Sequence, residues 1–154
     1  GLPNRRTFND QLERQLLLTN RLDSPLSIVF LDIDNFKDIN DSKGHDVGDM
    51  VLKSFSDLLN TTIRNSDYVA RWGGEEFAIT EFGINIDEAA ETCEDIRRHL
   101  SKLEMPASVN NHTVTVSFGV SQIKGDEPYL EVVKRADRAL YQSKTAGKNC
   151  VTVL

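Results

Sequence analysis

The stretch YVARWGGEEFAITEF, residues 68–82, decides the architecture. Two short apolar runs flank two glycines and two glutamates. Such runs around a Gly-Gly pair read as strand, tight turn, strand. A two-residue turn would draw Gly73 and Gly74 to positive φ, which glycine reaches without a steric cost. The tip also concentrates negative charge in Glu75 and Glu76. A solvated turn explains two exposed carboxylates, and so does a ligand site.

Working outward, LSIVFLDID (26–34) is a strand of continuous apolar character, which places it centrally in a sheet. Residues 4–20 form a helical pattern, with Phe8, Leu12 and Leu16 four apart and Leu17 beside them. NFKDIND (35–41) has room for one or two helical turns, and SKGHDVG (42–48) reads as a loop with two glycines. A strong helix follows from Asp46, a candidate N-cap, to Ile63. Its stripe is Val47, Met50, Val51, Ser54, Phe55, Leu58 and Leu59.

Beyond the hairpin, residues 87–103 form a helix that turns Ala89, Cys93, Ile96, Leu100 and Leu103 inward. HTVTVSFGVSQI (112–123) alternates like a half-buried strand. A last helix over 128–146 buries Leu130, Val133, Ala136 and Leu140, and Gly147 ends it. NCVTVL (149–154) closes the chain as a strand. The sum is one α/β (α+β) domain over residues 1–154. It has a central mixed five-stranded sheet covered by helices, in a ferredoxin-like or polymerase-palm-like layout.

Bulk properties agree with one globular unit: 154 residues, 39% hydrophobic and 27% charged. A net charge of −6 argues against nucleic acid as a partner, since a phosphate backbone calls for clustered positive charge. Cys93 and Cys150 have no metal-type spacing; Cys93 on an apolar helix face reads as a buried free thiol, which fits a reducing cytoplasm. No apolar run is long enough to span a membrane. The opening GLPNRR lacks an initiator methionine, and the expectation is a fragment of a longer protein whose membrane contact, if any, lies upstream.

A second acidic cluster changes the weight on the hairpin. Asp32 and Asp34 end an apolar strand, two residues apart and so on one face. Carboxylates there are expensive unless paired or bound to a metal. If this strand neighbours the hairpin, Asp32 and Glu75 converge as hard oxygen ligands for Mg²⁺ or Mn²⁺. Asp34 is open between that role and capping the short helix that follows.

GGEEF at 73–77, LDIDNFKDINDSKGHDVGD upstream and ADRALYQSKTAGKN downstream together resemble the GGDEF family of diguanylate cyclases, over essentially the whole chain. The resemblance implies condensation of two GTP into cyclic di-GMP with release of pyrophosphate, across a homodimer of domains. Asp32, Glu75 and the Ile33 carbonyl match the family's metal ligands. Glu76 matches a second ligand or the base. Asn40 and Asp49 match the guanine-reading pair, with Leu52 walling the pocket. A carboxylate accepts from guanine N1–H and the 2-amino group, and adenine would leave it unpaired. The family's other pocket leucine falls just ahead of Gly1. Phe36, Lys37, Lys144 and Lys148 match phosphate contacts, with Lys148 where arginine is usual; Gly73 and Gly74 let backbone approach the nucleotide. His45 reads as a loop-organising residue, and His99 and His112 as surface or edge positions.

Arg64 and Asp67 match the RxxD site at which the product inhibits. Asp95 stands where a second inhibitory arginine is common, leaving Arg97 or Arg98 to substitute, so weakened inhibition is expected. A catalytically silent domain that senses cyclic di-GMP or GTP is the alternative function. An ATP-using nucleotidyl cyclase is the third, against which Asn40 and Asp49 argue.

Overall fold

The computed structural model describes residues 2–105 and 114–154. Element order is α1 (Arg5–Leu22), β1 (Leu26–Ile33), α2 (Phe36–Lys43), α3 (His45–Thr62), β2 (Tyr68–Arg71), β3 (Glu76–Phe82), α4 (Ile86–Lys102), β4 (Val116–Gln122), α5 (Tyr129–Thr145) and β5 (Val151–Val153). Part of the strand expected over 112–123, and His112, lie outside the described residues.

The sheet runs β2-β3-β1-β4-β5. The β1–β3, β1–β4 and β2–β3 pairs are antiparallel, and β4–β5 is parallel, so the sheet is mixed. β1 is central, as its unbroken apolar run demands. Its odd residues Val29, Leu31 and Ile33 pack with α3 and α4 residues such as Phe55, Leu59, Cys93 and Ile96. The even residues Ile28 and Phe30 pack under α1 and α5 with Phe8, Leu12, Ala136 and Leu140. Burial pushes the Cys93 thiol well above its ordinary value.

Local chemistry explains the ends of these elements. Asn4 caps α1 by accepting from the Thr7 N–H (3.0 Å). Asn85 and Glu88 form a reciprocal capping box on α4. The opening residues close over the hairpin: the Arg71 N–H donates to the Pro3 carbonyl (2.9 Å), and Arg5 lies 4.4 Å over the Trp72 ring.

Several expectations are corrected. Gly48 is not in a loop; it lies inside α3, buried, where a Cβ would collide with the Asn40 carboxamide. Only Gly44, at φ +93, separates α2 from α3, and Asp46 sits within the first turn instead of capping it. Leu17, Met50 and Leu130 are exposed, and Val132 takes the inward place on α5. The turn at 73–75 has three residues, and neither Gly73 nor Gly74 is left-handed. Instead the Glu76 carbonyl accepts from both Trp72 N–H (2.8 Å) and Gly73 N–H (3.2 Å).

One close approach positions the rest. A Cβ on Gly119 of β4 would collide with the α5 backbone at Ala136 and Leu140. The helix therefore lies directly on the strand. Ser121 Oγ donates to the Val132 carbonyl (2.8 Å) and Ser143 Oγ to the Phe118 carbonyl (2.6 Å), pinning both ends of that contact.

Candidate active site

The end of β1 and the tip of the β2–β3 hairpin meet as the sequence requires. Asp32 pairs in register with Glu76, and the Ile33 N–H donates to the Glu75 carbonyl (3.3 Å). The reciprocal bond, from Glu75 N–H to the Ile33 carbonyl, is not made. That carbonyl is left open toward the hairpin, as a metal-ligating oxygen must be. Burial raises the Asp32 carboxyl to about 6; Lys144 opposes the shift, and the charges of Glu75 and Glu76 add to it. Glu76 is also pushed up, by burial first and then by Asp137 and Glu75.

Among the described residues, no three His, Cys, Asp or Glu side chains form a metal cage of their own. The donors fit a hard divalent ion that brings other ligands with it: Asp32 and Glu75 carboxylates and the Ile33 carbonyl, the remaining positions falling to water and phosphate. Asp32 is buried beyond what Lys144 offsets, which is the electrostatic condition a cation relieves.

Of the two roles open to Asp34, the structure tests the cap. It does not cap α2, whose N-cap position is Asn35. Its carboxylate accepts from Thr115 Oγ1 (2.7 Å), Ser117 Oγ (2.7 Å), Lys144 Nζ (2.7 Å) and the Asn149 N–H (3.0 Å). Burial disfavours its charge, but the bonds from Lys144, Ser117 and Thr115 more than offset this and hold the carboxyl below its ordinary value.

Basic groups arrive from three elements. Lys144, near the end of α5, also reaches Asp32 (3.2 Å). Lys148 Nζ donates to Asn35 Oδ1 (2.5 Å). Asn35 is itself left-handed, at φ +55, and makes no side-chain cap. The first-turn N–H groups of Phe36, Lys37 and Asp38 thus have no side-chain acceptor, which suits an anion at a helix N-terminus. Phe36 is buried and Lys37 exposed. Gly73 and Gly74 present bare backbone: a Cβ on Gly74 would meet nothing within 4 Å, and one on Gly73 only Glu76 Oε2. Neither takes positive φ, so the turn does not call for glycine at either position.

The residues expected to read guanine, Asn40 and Asp49, lie on α2 and α3. A cleft of about 400 Å³ is lined by Asp49, Leu52, Asn60, Arg71 and Leu2, among others. Asn40 does not line it; it sits against Gly48, one residue from Asp49. Leu2 and Arg71 were not foreseen. Leu2 supplies apolar wall close to where a leucine ahead of Gly1 was expected. The Arg71 guanidinium donates to the Gly73 carbonyl (3.3 Å) and, through Nε and Nη2, to that of Gly74 (3.0 and 2.6 Å). It thereby ties the cleft to the hairpin tip, and its place two residues before Gly73 was the available signal.

Arg64 and Asp67 bind each other. The guanidinium donates to Asp67 Oδ1 through Nε (3.1 Å) and Nη2 (2.6 Å), and also to the Phe82 carbonyl (3.1 Å). Beside them lies Glu81, 1% exposed, with one carboxyl oxygen unpartnered. Burial, with Asp67 adding, raises its carboxyl to about 8. Arg98 pairs with Asp95 and Arg97 with Glu94 (2.9 Å) along α4. His45 begins α3 and His99 is exposed.

The fold and this acidic hairpin define a class of protein. A family model described as "Diguanylate cyclase, GGDEF domain" matches residues 1–150. The chain belongs to the GGDEF family. It is 36% identical to "Diguanylate cyclase DosC" of Escherichia coli over 151 residues, covering 97% of this chain and 33% of DosC. Among solved structures it is similar to the GGDEF domain of DgcB from Caulobacter crescentus in complex with c-di-GMP (TM-score 0.92, 35% identity, 99% of this chain and 91% of that one). It is likewise similar to an active GGEEF domain of a Vibrio cholerae diguanylate cyclase (TM-score 0.92, 32% identity, 99% and 97%). No helix among the described residues is long and apolar enough to cross a membrane.

Proposed function

We propose that this domain is a diguanylate cyclase that condenses two GTP into cyclic di-GMP and two pyrophosphates. The observation that carries the reading is the convergence of Asp32, Glu75 and Glu76 at one end of the sheet, with Lys144, Lys148 and the bare Gly73–Gly74 backbone around them. One GTP per domain is held by its guanine in the Asp49–Leu52 cleft and by its phosphates between the lysines and the N-terminus of α2. A bound Mg²⁺ or Mn²⁺, held by Asp32, Glu75 and the Ile33 carbonyl, would neutralise charge at the reacting phosphate. The 3′-hydroxyl of one GTP attacks the α-phosphate of the other. An O3′–P bond forms as the hydroxyl gives its proton to a nearby carboxylate or water. The bond from the α-phosphorus to the bridging oxygen of the β-phosphate breaks, and pyrophosphate leaves. A second such transfer, with the two nucleotides exchanging roles, closes the ring and releases the second pyrophosphate.

Each active site holds one substrate, so two domains must face each other. The test is turnover of GTP with Mg²⁺ against protein concentration. A rise steeper than linear at low concentration is expected. Binding of GTP or cyclic di-GMP without any product would favour a silent sensor, which the intact Arg64–Asp67 pair could also serve. At that pair, cyclic di-GMP binds as inhibitor by exchanging the guanidinium–carboxylate contact for contacts to its own phosphate and base. The DgcB complex with c-di-GMP supports that ligand.

A further inference from the structure

We propose that Asp34 is a positioning residue for the triphosphate: its carboxylate fixes Lys144 and the turn that carries Lys148, and it does not ligate the cation. The proposal rests on the reading of this site as one for GTP. An ionised carboxylate has about four acceptor positions on its two oxygens. All four are taken. Oδ1 accepts from Ser117 Oγ and Lys144 Nζ, both at 2.7 Å; Oδ2 accepts from Thr115 Oγ1 at 2.7 Å and the Asn149 N–H at 3.0 Å. Its side chain is 1% exposed. Asp32, by contrast, takes Lys144 at the longer 3.2 Å and is 15% exposed, so it is the carboxylate with capacity to spare.

The two lysines are reached by different routes. Lys144 is bonded directly, and more tightly to Asp34 than to Asp32, so it keeps its place when Asp32 turns to a cation. Lys148 is reached through the backbone. It and Asn149 are both left-handed, at φ +67 and +50; asparagine enters that region readily, but a lysine keeps it where its surroundings hold it there. The Asn149 N–H is held by Asp34 and, at 3.2 Å, by Ser117 Oγ. That clamp presents Lys148 toward Asn35 at the start of α2.

The experiment is calorimetry with GTP and with GMP, in Mg²⁺, on wild type, Asp34→Asn, Lys144→Ala/Lys148→Ala and the triple variant. Asp34→Asn is expected to weaken GTP by roughly tenfold, the worth of one charge-assisted hydrogen bond, while GMP is unchanged. In the double-lysine background Asp34→Asn is expected to cost nothing further. A merely structural Asp34 would weaken GTP and GMP equally and add its full loss in that background; either result overturns the proposal. Should Asp34→Asn not fold, Ser117→Ala loosens the same carboxylate. A smaller loss confined to GTP supports the proposal, and an equal loss for both nucleotides overturns it. Wild type that binds no GTP would overturn the GTP reading and this proposal together, whereas equal GTP binding by wild type and Asp34→Asn overturns this proposal alone.

Discussion

Asp32 on β1 stands directly opposite Glu76 on β3, and residues opposite each other in an antiparallel pair share a face. The convergence of carboxylates is therefore a product of strand register. A slip of one residue would send Asp32 into the other core.

That convergence sets a pH dependence. The Asp32 carboxyl is raised to about 6, so without a cation it is protonated below that pH. A divalent ion must then displace a proton, and its apparent affinity should fall by about tenfold per pH unit below 6. Thermal shifts with Mn²⁺ at pH 5 and pH 8 measure this. A large shift at pH 8 and little at pH 5 is expected, with Asp32→Asn shifting at neither.

Replacing Glu75 with Gln removes one carboxylate charge of the proposed cation site from a half-buried position outside the core. Turnover should fall by at least about a hundredfold, the scale of losing one transition-state electrostatic contact, with little change in melting temperature. Glu76→Gln is diagnostic in another way. If Glu76 is a base, activity drops with an unchanged Mg²⁺ dependence; if it holds an ion, more Mg²⁺ restores rate. Full activity in Glu75→Gln would remove Glu75 from the site.

At an ordinary helix position Gly→Ala gains about 1 kcal/mol. Gly48→Ala should instead destabilise the domain, by about 1–3 kcal/mol, because the new methyl meets the Asn40 carboxamide. It should also erode the preference for GTP over ATP, since Asn40 is displaced from beside Asp49. Urea midpoints and the two turnover rates check both parts; a stabilised variant with unchanged preference would contradict them.

Glu81 gives a stability signature. Its folded carboxyl is raised from 4.5 to about 8, so the native state holds a proton that the unfolded chain releases. Stability from this group is present at low pH and is lost as pH rises between those values. Glu81→Gln mimics the protonated form. It should match wild type near pH 4.5 and exceed it by a few kcal/mol (about 3) near pH 8, read as denaturation midpoints.

Arg64→Ala should abolish the heat of cyclic di-GMP binding away from the active site. It also leaves the buried Asp67 carboxylate without its partner, so the melting temperature should fall as well. Unchanged binding heat would remove the inhibitory role.

The strands and the acidic ends were readable because period and burial leave marks on single residues. LSIVFLDID announces a central strand that ends in carboxylates, and its alternation puts Asp32 and Asp34 on one face. What α3 does with Gly48 was not readable, since a glycine chosen to admit a neighbour looks like one chosen for a loop. Gly73 and Gly74 show the same ambiguity. The turn chemistry invoked for them is absent, since neither takes positive φ. The four donors on Asp34 lie up to 115 positions away, and local pattern carries no trace of such partners.

Because α5 rests on Gly119 with no side chain between, the helix has no layer of adjustable packing on which to slide. Sheet and helix move as one piece. Ammonium and carboxylate at their shared end are consequently indexed by main-chain contact, and larger residues at position 119 are closed to evolution.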